Sequence, residues 1–130
     1  MKVSANQILP TQEFLKPDTV KYILECIKTN RLDDLPPQPI VRKDSKGKLI
    51  AIDGHNLIAV KAFQGEDINI HLAESPQDGI QGNTEPIKLR NKDLLKRYDS
   101  ALQDRKKLQT LNINSFSDLI SKYKDLFANH

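Results

Sequence analysis

The sequence predicts an α+β protein: a small sheet with helices packed on it, followed by a helical segment at the C-terminal end. Three observations carry this. Val20, Ile23, Leu24 and Ile27 fall at i, i+3, i+4 and i+7, the spacing of one buried helix face. Ile40–Lys43 and Lys48–Ile52 flank Asp44-Ser45-Lys46-Gly47, where Gly supplies the positive φ of a tight reversal, so the two segments read as a hairpin. Two helical stripes then finish the chain, giving the order β-α-β-β-α-β-α-α.

Taken in order, Asn6–Leu9 reads as a short extended piece stopped by Pro10. Pro17 opens the first helix at a position proline tolerates, with Asp18 favourable in the first turn. Pro36, Pro37 and Pro39 end that region and hand over to the hairpin. A helix over roughly Leu57–Gln64 is closed by Gly65. Ile68, Ile70 and Leu72 alternate with Asn69 and His71, the pattern of a half-buried strand with His71 outward. Glu74 to Pro86 is rich in Pro, Gly, Asn and Ser and reads as a linker. A helix follows over about Asn91–Leu108 with Leu95, Tyr98 and Leu102 on one face. The last helix has Ser115 as cap and Asp118 three residues on, a capping box, with Phe116, Leu119, Ile120, Tyr123 and Phe127 as its apolar stripe. This divides the chain into a core over 1–80 and a helical extension over 81–130.

At 130 residues the chain is one domain's worth, and a composition 38% hydrophobic and 28% charged is too apolar for a disordered segment. Trp is absent and aromatics make up 5%, so stacking platforms for single-stranded nucleic acid are sparse. No apolar run reaches the ~20 residues of a membrane span, and no signal-peptide pattern follows Met1. Cys26, the single cysteine, excludes an internal disulfide and a Cys-rich zinc site. Set among apolar helical positions with no base beside it, it reads as a small hydrophobe. These features point to a cytoplasmic protein with no membrane partner.

Charge is unevenly placed. Residues 1–80 carry a net −1 and residues 81–130 a net +4. Eight of the basic residues lie between Lys88 and Lys107, opposed by Asp93, Asp99 and Asp104. Read functionally, Lys96, Arg97, Lys106 and Lys107 form a patch for DNA backbone or an acidic partner. Read structurally, the run is a solvated helix face, with Asp93 and Arg97 as an i,i+4 pair.

One place combines a strand end, a glycine, polar side chains and a helix start: Asp53-Gly54-His55-Asn56. Such a turn exposes backbone N–H groups at the positive end of the helix dipole, which suits a phosphate or carboxylate. Gly54 would let the ligand approach the backbone closely. Asp53 would repel a phosphate unless it binds Mg²⁺ or serves as general base on a substrate hydroxyl. The plainer alternative is a hairpin exit with Asn56 capping a helix.

From about Gln7 to Leu72 the chain resembles the ParB/sulfiredoxin superfamily, which includes ParB N-terminal domains, sulfiredoxins and ADP-dependent free serine kinases. The matching stretches are Ile8-Leu9-Pro10, Leu15-Lys16-Pro17 with the helix Val20–Ile27, Leu35-Pro36-Pro37, and Ile50-Ala51-Ile52-Asp53-Gly54-His55-Asn56 followed by Ala59 and Ala62. The resemblance implies a small mixed sheet with the Gly54 turn as its phosphate site, formed by Gly54, His55, Asn56 and Leu57. Its departures are specific. Sulfiredoxins end this turn in Gly-Cys-His-Arg and ParB proteins in Gly-Glu-Arg-Arg, neither of which is present. The free serine kinases have Asp-Gly-His-His-Arg, matched by Asp53, Gly54 and His55, with Asn56 and Leu57 in place of the second histidine and the arginine. Leucine supplies no planar fork for a phosphate. Lys61, Arg42 and Lys43 are the nearby cations that could substitute.

The kinase likeness implies Asp53 as base or Mg²⁺ ligand, His55 as auxiliary donor, and a glutamate from the N-terminal region, for which Glu13 and Glu25 are the candidates. The implied function is a nucleotide- or phosphate-binding domain, with a phosphotransferase using nucleotide and Mg²⁺ as its active form and a phosphorylated small molecule as partner. The alternatives are a ParB-like module contacting DNA through residues 88–107, and a protein-binding scaffold.

Overall fold

In the computed structural model, which describes residues 1–76 and 85–128 (85–92 by their backbone alone), the hairpin is the centre of the sheet. Strands β2 (Ile40–Lys43) and β3 (Leu49–Asp53) pair antiparallel through Asp44, whose Oδ1 accepts from the Lys46 and Lys48 N–H groups at 2.8 and 2.9 Å. Gly47 closes the turn at φ +79°. On the far side of β2 lies β5 (His71–Leu72), parallel to it. Leu9 forms a single parallel bridge to Ile50 on the outer side of β3. A second sheet pairs β1 (Lys2–Ser4) antiparallel with β4 (Asp67–Asn69). The architecture is α+β.

Helix α1 (Pro17–Lys28) buries Val20, Ile23, Leu24 and Cys26, with Ile27 half-buried at its end. Helix α2 (His55–Phe63) is buried on nearly every side, because Leu57, Ile58, Ala59, Val60 and Ala62 leave it no polar face. It is therefore the central helix. The long helix α3 (Glu85–Thr110) and the short helices α4 (Phe116–Ser121) and α5 (Lys124–Phe127) follow. Phe116, Leu119 and Phe127 join Val20, Ile58 and Leu108 in one continuous core, so the C-terminal helices are packed on the N-terminal elements. Full burial of a side chain such as Phe116 contributes about 2–3 kcal/mol.

Several elements depart from the sequence reading. The piece expected as extended, Asn6–Leu9, is a 3₁₀ turn over Ala5–Gln7 followed by the Leu9 bridge, and the strand lies earlier, at Lys2–Ser4. The strand expected over Ile68–Leu72 divides at Ile70, serving β1 with its first half and β2 with its second. Its alternation is kept, with Ile68 and Ile70 buried and His71 exposed. Helix α2 begins at His55, two residues before the expected Leu57. Among the described side chains of α3 the buried positions are Leu94, Ala101 and Leu108, with Arg105 between them, one residue round from the expected Leu95 and Leu102. The last helix breaks at Lys122–Tyr123, where the Tyr123 hydroxyl turns inward to accept the Leu15 N–H at 3.1 Å. Its cap is as expected, with Ser115 Oγ accepting the Asp118 N–H at 3.1 Å, while the Asp118 carboxylate returns to Asn114 N–H at 2.8 Å. Most of the linker expected between Glu74 and Pro86, and His130, lie outside the described residues.

Candidate functional site

Strand β3 ends at Asp53, and the register of the hairpin shifts beside it, between Ile40 and Val41. Gly54 then reverses the chain at φ +92° and ψ 25°, a left-handed conformation that only glycine adopts without strain. A Cβ at this position would stand 2.8 Å from the Pro39 Cβ. This corrects the expectation that Gly54 makes room for a ligand: the close approach at its α-carbon is made by Pro39.

His55 turns into the core and is 3% exposed. Its Nε2 accepts the Thr11 N–H at 3.0 Å, while the Thr11 hydroxyl donates to the Ala51 carbonyl at 2.6 Å. The ring packs at 5.7 Å on Phe116. Burial, helped by the Arg97 charge, pushes the imidazole pKa down to about 3, so the ring is neutral at neutral pH. An imidazole held this way is a tie between the residue-11 loop and the core. With Nε2 engaged as an acceptor, the neutral ring carries its proton on Nδ1, so Nε2 cannot serve as a base and the donor that remains to the ring is Nδ1–H. Leu57, the fourth residue of the expected cradle, is likewise buried in the core, leaving only its backbone to the turn. Asn56 fastens the start of α1, its Oδ1 accepting the Lys16 N–H at 2.9 Å. No side chain caps α2, so its first-turn N–H groups have neither an intrahelical acceptor nor a cap.

Over this turn lies a pocket of about 190 Å³, lined by Gln12, Lys16, Pro36, Pro37 and Arg97 together with residues 53–56. Arg97 arrives from α3, and its Nη1 donates to Asp53 Oδ1 at 2.8 Å. The neighbouring residue fixes the helix there: Arg42 stacks on the Tyr98 ring at 4.1 Å and donates to the Tyr98 carbonyl at 2.8 Å. An arginine thus reaches the turn from α3, distant in sequence from the position 57 at which the kinase likeness would expect one. None of the nearer substitutes does this. Lys61 pairs with Glu66 at 3.1 Å, Arg42 is engaged by Tyr98, and Lys43 lines another cavity.

The expected glutamates are elsewhere. Glu13 lies 3.7 Å from Lys122, and Glu25 is exposed on α1; neither lines the pocket. Asp53 is the pocket's one carboxylate among the described residues, and these contain no group of three His, Cys, Asp or Glu side chains arranged for a metal. With Oδ1 already engaged by Arg97, the residues around Asp53 fit an anion better than the expected Mg²⁺.

The basic run divides in three dimensions. Lys96, Lys106 and Lys107 are exposed on α3, while Arg97 belongs to the pocket. Arg105 is buried, donating to the Pro10 carbonyl at 2.5 Å and to the Ile113 carbonyl. The side chains of Lys88, Arg90 and Lys92 lie outside the described residues. Sequence reasoning missed Lys16 and Thr11 and set Arg97 with the DNA patch. The one available signal was the 94-98-101-105-108 spacing, which places Tyr98 on the packed face and Arg97 at its margin. No described helix is long and apolar enough to cross a membrane. Comparison of the chain with protein-family models, with curated proteins and with solved structures finds no match.

Proposed function

We propose that this chain is a phosphate-binding domain of ParB/sulfiredoxin-like build, and that the pocket over the Gly54 turn is its site. The observation that supports it best is the meeting of two cationic side chains, Lys16 and Arg97, with an uncapped helix start in one cavity. In this reading the first-turn N–H groups of α2 and the Lys16 ammonium attract the anion. Asp53 holds the Arg97 guanidinium in place until phosphate oxygens take over its fork. The volume favours a phosphate group alone, being below the ~300–1,000 Å³ of sites that enclose a whole small molecule. Binding rather than phosphoryl transfer is the activity proposed. His55 has no exposed nitrogen lone pair to offer through Nε2, and Asp53 is occupied as the partner of an arginine.

The test is titration of the full chain with inorganic phosphate and with ATP, with and without Mg²⁺. Arg97→Gln should weaken phosphate binding by about tenfold or more, the loss expected for a charge-assisted hydrogen bond. Asp53→Asn should tighten it by releasing the guanidinium. An unchanged affinity in Arg97→Gln, or Mg²⁺-dependent binding abolished by Asp53→Asn, overturns the reading. Salt-dependent DNA binding lost on neutralising Lys96, Lys106 and Lys107, with no phosphate binding, would assign the ParB-like DNA module instead.

A further inference from the structure

We propose that the outer edge of β4 is a strand-addition site, which takes an extended peptide segment carrying a basic residue beside Asp67. It is independent of the phosphate-binding reading, since it uses neither the Gly54 turn nor Arg97.

The edge is open because of two prolines. From Glu66 to Ala73 the backbone groups of alternate residues point to β1 and to β2. On the β1 side, Ile70 N–H donates to the Met1 carbonyl at 2.8 Å, and Ala5 N–H donates to the Glu66 carbonyl at 3.1 Å. On the other side, His71 and Ala73 donate to the Pro39 and Val41 carbonyls, each at 2.8 Å. Asp67 and Asn69 therefore direct their N–H and C=O groups toward the β2 side. The next rung of that parallel ladder would need a Pro39 N–H for the Asn69 carbonyl. The rung beyond it would need a Pro37 N–H for the Asp67 carbonyl. Proline has no such donor, so the pairing stops at His71. Among the described residues β4 then has β1 as its only strand partner.

Beside this edge lies a groove of about 700 Å³, lined by Pro36, Gln38 and Pro39 from the proline segment and by Asp67, Ile68 and Asn69 from β4. Short, charged edges usually guard a sheet against unwanted pairing. A guarded edge offers no seat for the side chains of an incoming strand, and this one does. Leu57 and Ile68 supply a buried apolar floor, and Leu32, 53% exposed, adds apolar surface to the lining. Alternate residues of an added strand would meet that floor, with the others in solvent beside the exposed Asp67 and Asn69. Charge complementarity selects one of those others. Of the four charged residues in the lining, Lys61 and Glu66 pair with each other at 3.1 Å. Lys2 stands on β1, one strand further away. Asp67 is on the edge itself and has no ion pair among the described residues. A lysine or arginine opposite Asp67 supplies that partner, while the main chain supplies the ladder.

The probe is the capped peptide acetyl-Val-Thr-Val-Lys-Val-amide, whose lysine faces Asp67 and whose central valine faces Ile68 when it pairs antiparallel. It is titrated into the full chain and followed by backbone amide shifts and hydrogen exchange. In the free chain the Asp67 and Asn69 amides should exchange quickly, while Ile68, paired with β1, is protected. Saturating peptide should slow exchange at both by about tenfold, the effect of one hydrogen bond each. Glutamate in place of the peptide's lysine should weaken binding about fivefold, and Asp67→Lys should reverse that preference. N-methylation of the threonine and lysine nitrogens, the donors to Asn69 and Asp67, should abolish binding. N-methylation of the central valine, whose N–H points away, should leave it. Absence of binding by either peptide at millimolar concentration overturns the proposal. So does binding that leaves the Asp67 and Asn69 amides unmoved, ignores the position of the methyl group, or is equal for the lysine and glutamate peptides. Slow exchange at both amides in the free monomer would also overturn it, because the chain itself would then cover the edge. If that protection appears only as the chain self-associates in sedimentation, the occupant is a second copy, and the peptide assignment is wrong.

Discussion

The two halves of α3 are held to the protein in different ways. Its C-terminal half is part of the main core: Leu108 packs among the residues around Phe116 and Leu119, and Arg105 ties two distant carbonyls, those of Pro10 and Ile113. Its N-terminal half rests on a satellite cluster in which Leu94 meets Ile52 and Ala73, with Ile40 and Tyr98 alongside. Among the described side chains, Arg42 on Tyr98 and Arg97 on Asp53 add polar contacts there. The contact that brings Arg97 to the turn is thus made, among the described side chains, from a separate, smaller cluster than the one that holds Leu108.

The contrast is broken or sharpened by three measurements. Arg105→Ala should have the largest effect, lowering global stability by about 3 kcal/mol in urea denaturation, because it leaves a cavity and removes the donors of two buried carbonyls. A loss below about 1 kcal/mol would place the C-terminal half outside the core. His55 tests the core through pH. The folded chain keeps this ring neutral down to about pH 3, whereas the unfolded chain protonates it near 6.5. Its contribution is complete above about pH 6.5 and is lost as the pH falls toward 3, at about 1.4 kcal/mol per pH unit. His55→Gln should flatten that part of the acid slope, and a variant with the parent's slope would show that another group governs it. Arg97→Gln should have the smallest effect. Asp53 keeps 17% of its side chain exposed and Arg97 49%, so the pair is screened and its loss should cost below about 1 kcal/mol globally. Amide exchange at residues 93–98 should quicken all the same, and unchanged exchange would remove the distinction between the halves.

How much of this was legible depended on how local the cause was. The hairpin, the α1 face and the Ser115 cap follow from residues within a few positions of one another, and the structure has them at or within a residue of the expected bounds. The division of Ile68–Leu72 was not legible, because alternation reports which side of a strand is buried and not which sheet each half joins. At the turn, the residue types Asp53, Gly54, His55 and Asn56 suggested a single polar cluster. In three dimensions they separate: Gly54 is required by Pro39, His55 by Thr11 and Phe116, Asn56 by Lys16, and Asp53 pairs with Arg97. Each of those partners is distant in sequence, and no spacing rule connects them. Polar residue type could not tell which side chains the core had already claimed.

The two sheets differ in what it takes to close them. The hairpin joins strands across the five residues between Lys43 and Leu49, whereas β1 reaches β4 across roughly sixty. Chain closure over the longer span costs about 2 kcal/mol more in entropy, so the hairpin can nucleate alone and β1 cannot. The three-residue pairing of β1 with β4 is then a late event on the way to the native state.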